Sequence, residues 1–154
     1  MLTQLASYVV LDALIGNTDR HHENWGLLAK IDGALKLDIA PSFDHASSLG
    51  RELHDEKRLQ IIKENRILKY IRHARGGVYL SPTDRHGANP LALVEYGARV
   101  HGPFFEPALM KLKQIDADQL ARFIEDVPDS HMSAISKKFT MLFLNSTLSE
   151  LHKF

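Results

Sequence analysis

The chain has 154 residues, 44% of them hydrophobic, which is the size of one ordinary domain with enough apolar side chain to fill its core. Nineteen basic residues balance nineteen acidic ones, so bulk charge gives no ground for a nucleic-acid or membrane-surface partner, and any charged site must be local. The absence of cysteine excludes disulfides, thiolate nucleophiles and cysteine zinc sites, and with no leader and no run of roughly 18 to 20 apolar residues the expected location is cytoplasmic.

Leu2, Leu5, Val9, Val10, Ala13 and Leu14 recur at helical spacing, and Gly16-Asn17 supplies a stop, which predicts a helix over 2–15. The stretch Asn17-Thr18-Asp19-Arg20-His21-His22-Glu23-Asn24 follows as a loop. Trp25 to Lys30 and Leu35 to Ile39 are short apolar runs around Asp32-Gly33, a hairpin signal. A hairpin returns the chain to its start and so carries Asp44, in Pro41-Ser42-Phe43-Asp44, back beside Asp19 and Asn24. The same residues in extended form would span tens of ångströms.

The pattern from about Asp55 to Ala74 predicts one helix with Leu59, Ile62, Leu68 and Ile71 inward, ended by Gly76 and Gly77. Ser81 to Asp84 and Gly87 to Pro90 read as loop, and Pro90 opens a helix through Arg99. Helical patterns over 104–114, 117–126 and 130–152 complete the chain, punctuated by Pro103, Asp116, Pro128 and Asp129. The expected fold is mainly α, a single domain over 1–154 with one small β-hairpin and no linker, repeat or low-complexity tract.

An aspartate five residues ahead of an asparagine, with a second aspartate shortly downstream, is an arrangement that phosphoryl transfer uses to orient a hydroxyl and hold magnesium. Asp19 is the candidate catalytic carboxylate, placed to accept a hydrogen bond from an attacking hydroxyl. Asn24 and Asp44 offer one neutral and one charged oxygen, a donor set suited to magnesium beside the phosphates of ATP. Capping of turns is the plainer role for either residue alone. The joint setting of helix, loop, hairpin and second aspartate favours chemistry.

Other features carry less. Asp84-Arg85-His86-Gly87-Ala88-Asn89 repeats the short motif without a preceding apolar helix or a following hairpin, and is expected to be an ordinary surface loop. His21, His22 and His45 suggest a zinc hydrolase, but no His-Glu-x-x-His is present and adjacent histidines rarely face one ion. Solvent exposure is expected for His22 and His45. Lys63, Arg66, Lys69 and Arg72 form a basic stripe on the predicted helix, expected to be a solvated face with direct nucleic-acid binding unlikely to follow. Trp25, Phe104, Phe105, Phe139 and Phe143 are expected in the core or an interface.

Leu14-Ile15-Gly16-Asn17-Thr18-Asp19-Arg20-His21, then Asn24, then Ala40-Pro41-Ser42-Phe43-Asp44 resembles the carboxy-terminal lobe of HipA-like serine/threonine kinases. The Asp-Arg-His-x-x-Asn run is also similar to the catalytic loop of phosphatidylinositol 3- and 4-kinases, and the Pro-x-Phe-Asp segment favours the HipA-like group. The resemblance covers residues 1 to about 50. It implies a protein-kinase-like carboxy-terminal lobe with Asp19 as the catalytic aspartate, His21 helping to hold the loop, and Asn24 and Asp44 as magnesium ligands. It further implies ATP and magnesium as cofactors, a serine or threonine of a protein as acceptor, and a bacterial toxin–antitoxin setting.

A complete kinase also has an amino-terminal lobe with a phosphate-covering loop and a lysine for the phosphates. Met1 stands directly on the helix before the loop, so that lobe is expected to be absent. A truncated gene, a split kinase with a separate lobe or antitoxin chain as partner, and a non-catalytic remnant that docks another protein are the three alternatives. An exposed apolar surface near Trp25 and Phe43 is expected if a missing lobe packs there.

Overall fold

A computed structural model describes residues 1–154 as six α-helices and one two-stranded antiparallel hairpin. In chain order they are α1 (Leu2–Ile15), β1 (Leu27–Asp32), β2 (Ala34–Ile39), α2 (Asp55–Lys63), α3 (Ile67–His73), α4 (Pro90–Leu112), α5 (Ala117–Glu125) and α6 (Ala134–Leu151). Helix α6 is the centre: it packs against each of the other five, while α1 lies along α4. Its Phe139 and Phe143 are 0% and 2% exposed, and Tyr70 of α3 meets both rings edge-on. Val10, Ala13, Ile61, Ile67, Ile71, Val94 and Leu109 complete the same core from the surrounding helices.

The end of α1 is fixed from several directions. Gly16 takes φ 65°, and Asn17 N–H closes back on the Asp12 carbonyl at 2.8 Å, a left-handed helix stop. A Cβ on residue 16 would also meet Phe143 at 2.3 Å, so glycine is required by packing as well as by conformation. The free carbonyl of Leu14 accepts from the Thr147 hydroxyl of α6 at 2.8 Å, and that of Ile15 from Leu49 N–H at 2.8 Å. Orphan helix-end acceptors are thereby satisfied, and the loop after α1 leaves from a rigid platform.

The hairpin pairs Leu27 with Ile39 through Asp32 with Ala34, turning at Gly33 with φ 69°. Strand β1 starts and ends two residues later than its apolar run, because Trp25 and Gly26 belong to the approach, and β2 starts one residue earlier than its own. Of the twelve strand residues only Ile39 is buried. Its base is tied to α1 by the Tyr8 hydroxyl, which donates to the Ala40 carbonyl at 3.0 Å.

Three helical expectations change. The helix predicted over 55–74 is broken into α2 and α3 at Asn65, which adopts φ 50°. Asparagine tolerates the left-handed region better than most residues, and the break resets the helical phase. Ile61 and Ile67 are therefore buried, while Leu59 and Leu68 are 36% and 38% exposed. The basic stripe loses its continuity for the same reason, with Arg66 paired to Glu64 and Arg72 to Glu150. Farther on, the two helices expected either side of Pro103 run together as α4, kinked at His101, whose φ −129° and ψ 34° are non-helical. Helix α6 starts later than residue 130, at the Ser133 cap, whose hydroxyl accepts from Ser136 N–H.

Candidate active site

The loop after α1 is organised by a buried ion pair. Arg20, 3% exposed, donates through Nε and Nη2 to the two carboxylate oxygens of Asp12 at 2.7 and 2.9 Å. Asp12, itself 4% exposed, also accepts from Asn17 Nδ2 at 2.9 Å. The other side of the guanidinium reaches across the site: Nη1 donates to the carbonyls of Asn24 at 2.8 Å and Phe43 at 3.2 Å, and Nη2 to the Ser42 hydroxyl at 2.8 Å. Trp25 stacks over the same group, 5.0 Å from its ring centroid. A planar fork with several donors is what one side chain needs to bind helix, loop and returning strand at once.

That fork brings the predicted residues together. Asn24 and Phe43 share one nitrogen through their carbonyls, so Asp44 leaves the chain next to Asn24. Asn24 is 4% exposed, and its Nδ2 donates to the Asp19 carbonyl at 2.8 Å. With the amide nitrogen committed to the loop, Oδ1 takes no hydrogen bond from the protein and stays available as an acceptor. Asp19 is exposed, its carboxylate unpaired, and its N–H is held by Asn17 Oδ1 at 3.1 Å. Asp44 is exposed with an unpaired carboxylate, and its φ of 56° puts it in the left-handed region. For a non-glycine residue that conformation costs on the order of 1 kcal/mol or more, a cost that tends to gather where function constrains the backbone.

His21 acts within its own turn. It is half-buried, and Nδ1 accepts from Glu23 N–H at 3.3 Å. The wider bracing of the loop comes from Arg20 and Asp12, which the residue pattern did not single out as functional. A signal was there: Asp12 is the one charged residue in α1, on a helix otherwise apolar or neutral. Gly77 backs the loop from the far side, where a Cβ would lie 2.8 Å from the Arg20 carbonyl.

The three histidines do not converge. The rings of His21 and His22 are tilted by 55° with centroids 5.9 Å apart, while His45 Nε2 bonds the Ser42 hydroxyl at 2.8 Å. His45 is thus half-buried, against the expectation of free exposure, because the Arg20 network draws Ser42 and its neighbour inward. No group of three histidine, aspartate or glutamate side chains gathers as a metal centre. Asn24 Oδ1 and the Asp44 carboxylate are both oxygen donors, a type that suits magnesium better than zinc.

The second short motif is structural. Asp84 accepts from the N–H groups of Ser81 and Leu80 at 2.9 and 3.2 Å, closing its own turn. Asn89 is buried, correcting the expectation of a surface position: Oδ1 caps α4 by accepting from Leu91 N–H at 2.9 Å, and Nδ2 donates to the carbonyls of Ile71 and Ala74 at 2.8 and 3.0 Å. Asn89 is committed to the fold, and Asp84 to its own turn. Behind the α1 terminus, burial and then the Glu52 carboxylate push the Tyr70 hydroxyl well above the usual tyrosine range.

The comparisons bear on this geometry. No model of a known protein family matches the chain. It is 25% identical over 146 residues to the serine/threonine-protein kinase CtkA of Helicobacter pylori, a match that takes in 92% of this chain and 42% of the relative. The crystal structure of a Helicobacter pylori proinflammatory kinase CtkA superposes with a TM-score of 0.76 at 22% identity, covering 99% of this chain and 52% of that one. The fold is kinase-like. The chain spans about half the length of the kinase it matches, and its mainly helical architecture with one hairpin corresponds to that half. No helix is long and apolar enough to cross a membrane.

Proposed function

We propose that these residues form the catalytic wall of an ATP-dependent kinase, a HipA-like carboxy-terminal lobe that transfers phosphate to a serine or threonine of a protein. The observation that carries this reading is the Arg20 fork, which ties the Asp19–Asn24 loop and the Phe43–Asp44 strand exit into one unit and leaves three oxygen donors uncommitted. Asp19 would accept the hydrogen bond of the acceptor hydroxyl, orient it toward the terminal phosphate and take its proton as the new oxygen–phosphorus bond forms and the bond from that phosphorus to the bridging oxygen of the departing ADP breaks. Asn24 Oδ1 and the Asp44 carboxylate would hold magnesium, which when bound neutralises charge on the phosphates. His21 keeps the loop turn in shape. The Asp12–Arg20 pair fixes the spacing between loop and strand, since positioning supplies most of the catalysis in phosphoryl transfer.

A phosphate-covering lobe completes such a cleft, supplied by the same polypeptide or by a separate chain such as an antitoxin partner. The apolar hairpin supports this: Leu27, Ile31 and Leu35 are 65%, 84% and 64% exposed, and Phe43 beside them is 43% exposed. Single exposed apolar residues are common, but a strand pair open on both faces is the signature of a surface covered by another unit.

Manganese can replace magnesium and broadens nuclear resonances close to it. With ATP and manganese, amide signals of Asn24 and Asp44 are expected to broaden first. Broadening centred on His131 or the α2–α3 surface, or none at these two residues, would contradict the assignment.

A further inference from the structure

We propose that the open cavity beginning at His45 is a receptor for an anionic side chain, carboxylate or phosphoryl, on the protein segment that presents the acceptor hydroxyl. The proposal rests on the phosphotransfer reading for the word acceptor, and on the cavity alone for the anion. The space measures about 600 Å³, the size of a small-ligand site. One wall is the segment from His45 to Arg51, directly after Asp44, and the opposite wall is the turn at His131 with the start of α6.

Its charges are one-sided. Arg51 is exposed, and its guanidinium makes neither hydrogen bond nor ion pair. Arg58, with a side chain only 12% exposed, donates to Asp55 at 2.8 Å and to the Gly50 carbonyl at 3.1 Å, while its Nε is buried without a partner. Asp55 is the one acidic residue in the lining, and the Ser133 hydroxyl and the Arg58 guanidinium hold its carboxyl below the ordinary range. Its charge is therefore already answered by Arg58, and Arg51 remains as a net cation. Serine and threonine hydroxyls fill much of the remaining surface, among them Ser48, whose buried Oγ has no partner.

A guanidinium with free donors and a ring of hydroxyls suits a carboxylate or phosphoryl group. No phenylalanine, tyrosine or tryptophan lines the cavity. Position selects the source. The cavity wall is joined to the catalytic loop by a hydrogen bond between His45 Nε2 and the Ser42 hydroxyl and by one that Arg20 Nη2 donates to that hydroxyl, each 2.8 Å. An anionic residue seated there would lie on the same stretch of polypeptide that offers its hydroxyl to Asp19.

The test uses the 154-residue chain without nucleotide. Capped alanine-based peptides carrying one serine and, three residues away, aspartate, phosphoserine or asparagine are titrated while amide shifts are followed. The aspartate and phosphoserine peptides are expected to bind about tenfold or more tightly than the asparagine peptide, with shifts at 45–51 and 131–136. Arg51→Ala, which breaks no side-chain hydrogen bond or ion pair of the folded chain, should remove that difference, and Arg51→Glu should reverse it. Equal binding of all three peptides, no binding, or a difference that survives Arg51→Ala would overturn the proposal. Inorganic phosphate binding as tightly as the phosphopeptide would also overturn it, assigning the cavity to free phosphate. Titration with ATP, with and without magnesium, on the native chain and on Asp44→Ala reports separately on the phosphotransfer reading: nucleotide binding indifferent to magnesium and to Asp44, beside charge-selective peptide binding, would sink that reading and keep the anion site.

Discussion

Asp12 and Arg20 illustrate how much a single buried pair can decide. Two charges taken out of water are costly unless each is matched, and here the guanidinium has five hydrogen bonds in addition to its stacking on Trp25. Asp12→Ala leaves that cation buried and half-satisfied, and is expected to cost about 3–5 kcal/mol in urea unfolding. A loss below 1 kcal/mol would mean that the loop is held by something else. Asp44 poses the opposite case, since it makes no side-chain bond and sits at φ 56°. Asp44→Gly relieves the left-handed conformation while adding backbone entropy to the unfolded chain, so stability should stay within about 1 kcal/mol. Nucleotide–magnesium binding should nevertheless disappear. Asp19 and Asn24 were legible in the residue pattern because spacing and flanking elements named them together. Asp12 was not, because its partner lies eight residues away around a helix stop, and only folding reveals that the two meet.

At the scale of elements, the break between α2 and α3 is the clearest departure from periodicity. Apolar spacing around residues 59–71 is compatible with one helix, and no glycine or proline marks the interruption. Asn65 supplies it through its tolerance of positive φ, a property visible in composition only when tertiary contacts already demand a turn. Asn65→Ala is expected to cost about 1 kcal/mol and Asn65→Gly to be neutral or slightly stabilising, by chemical denaturation. Stabilisation by alanine would instead favour a continuous helix. The hairpin, by contrast, was readable, since Asp32-Gly33 between apolar runs is a local signal and β1 and β2 need no distant residue to pair. The α6 centre was less so: which helix becomes the hub depends on which ones pack around it.

Across the whole molecule, the kinase-like fold and the exposed hairpin have to be taken together. A chain that corresponds to 52% of a kinase of the same fold leaves its β1–β2 side apolar and open, while the helical side is closed around Phe139 and Phe143. Ile31→Lys with Leu35→Lys removes exposed apolar surface without touching the core, so unfolding free energy should change by less than about 1 kcal/mol. Binding of an apolar fluorescent dye should fall clearly in the same variant. Large destabilisation would show that the hairpin already has a partner within the chain.

Calorimetric titration with ATP, with and without magnesium, on the native chain and on Asp44→Ala tests the central claim most directly. The account predicts heat of binding that requires magnesium and is lost in Asp44→Ala, with the fold of the variant intact by circular dichroism. Nucleotide binding indifferent to both magnesium and Asp44 would contradict the assignment of the Asn24–Asp44 corner as the metal site of a phosphoryl-transfer cleft.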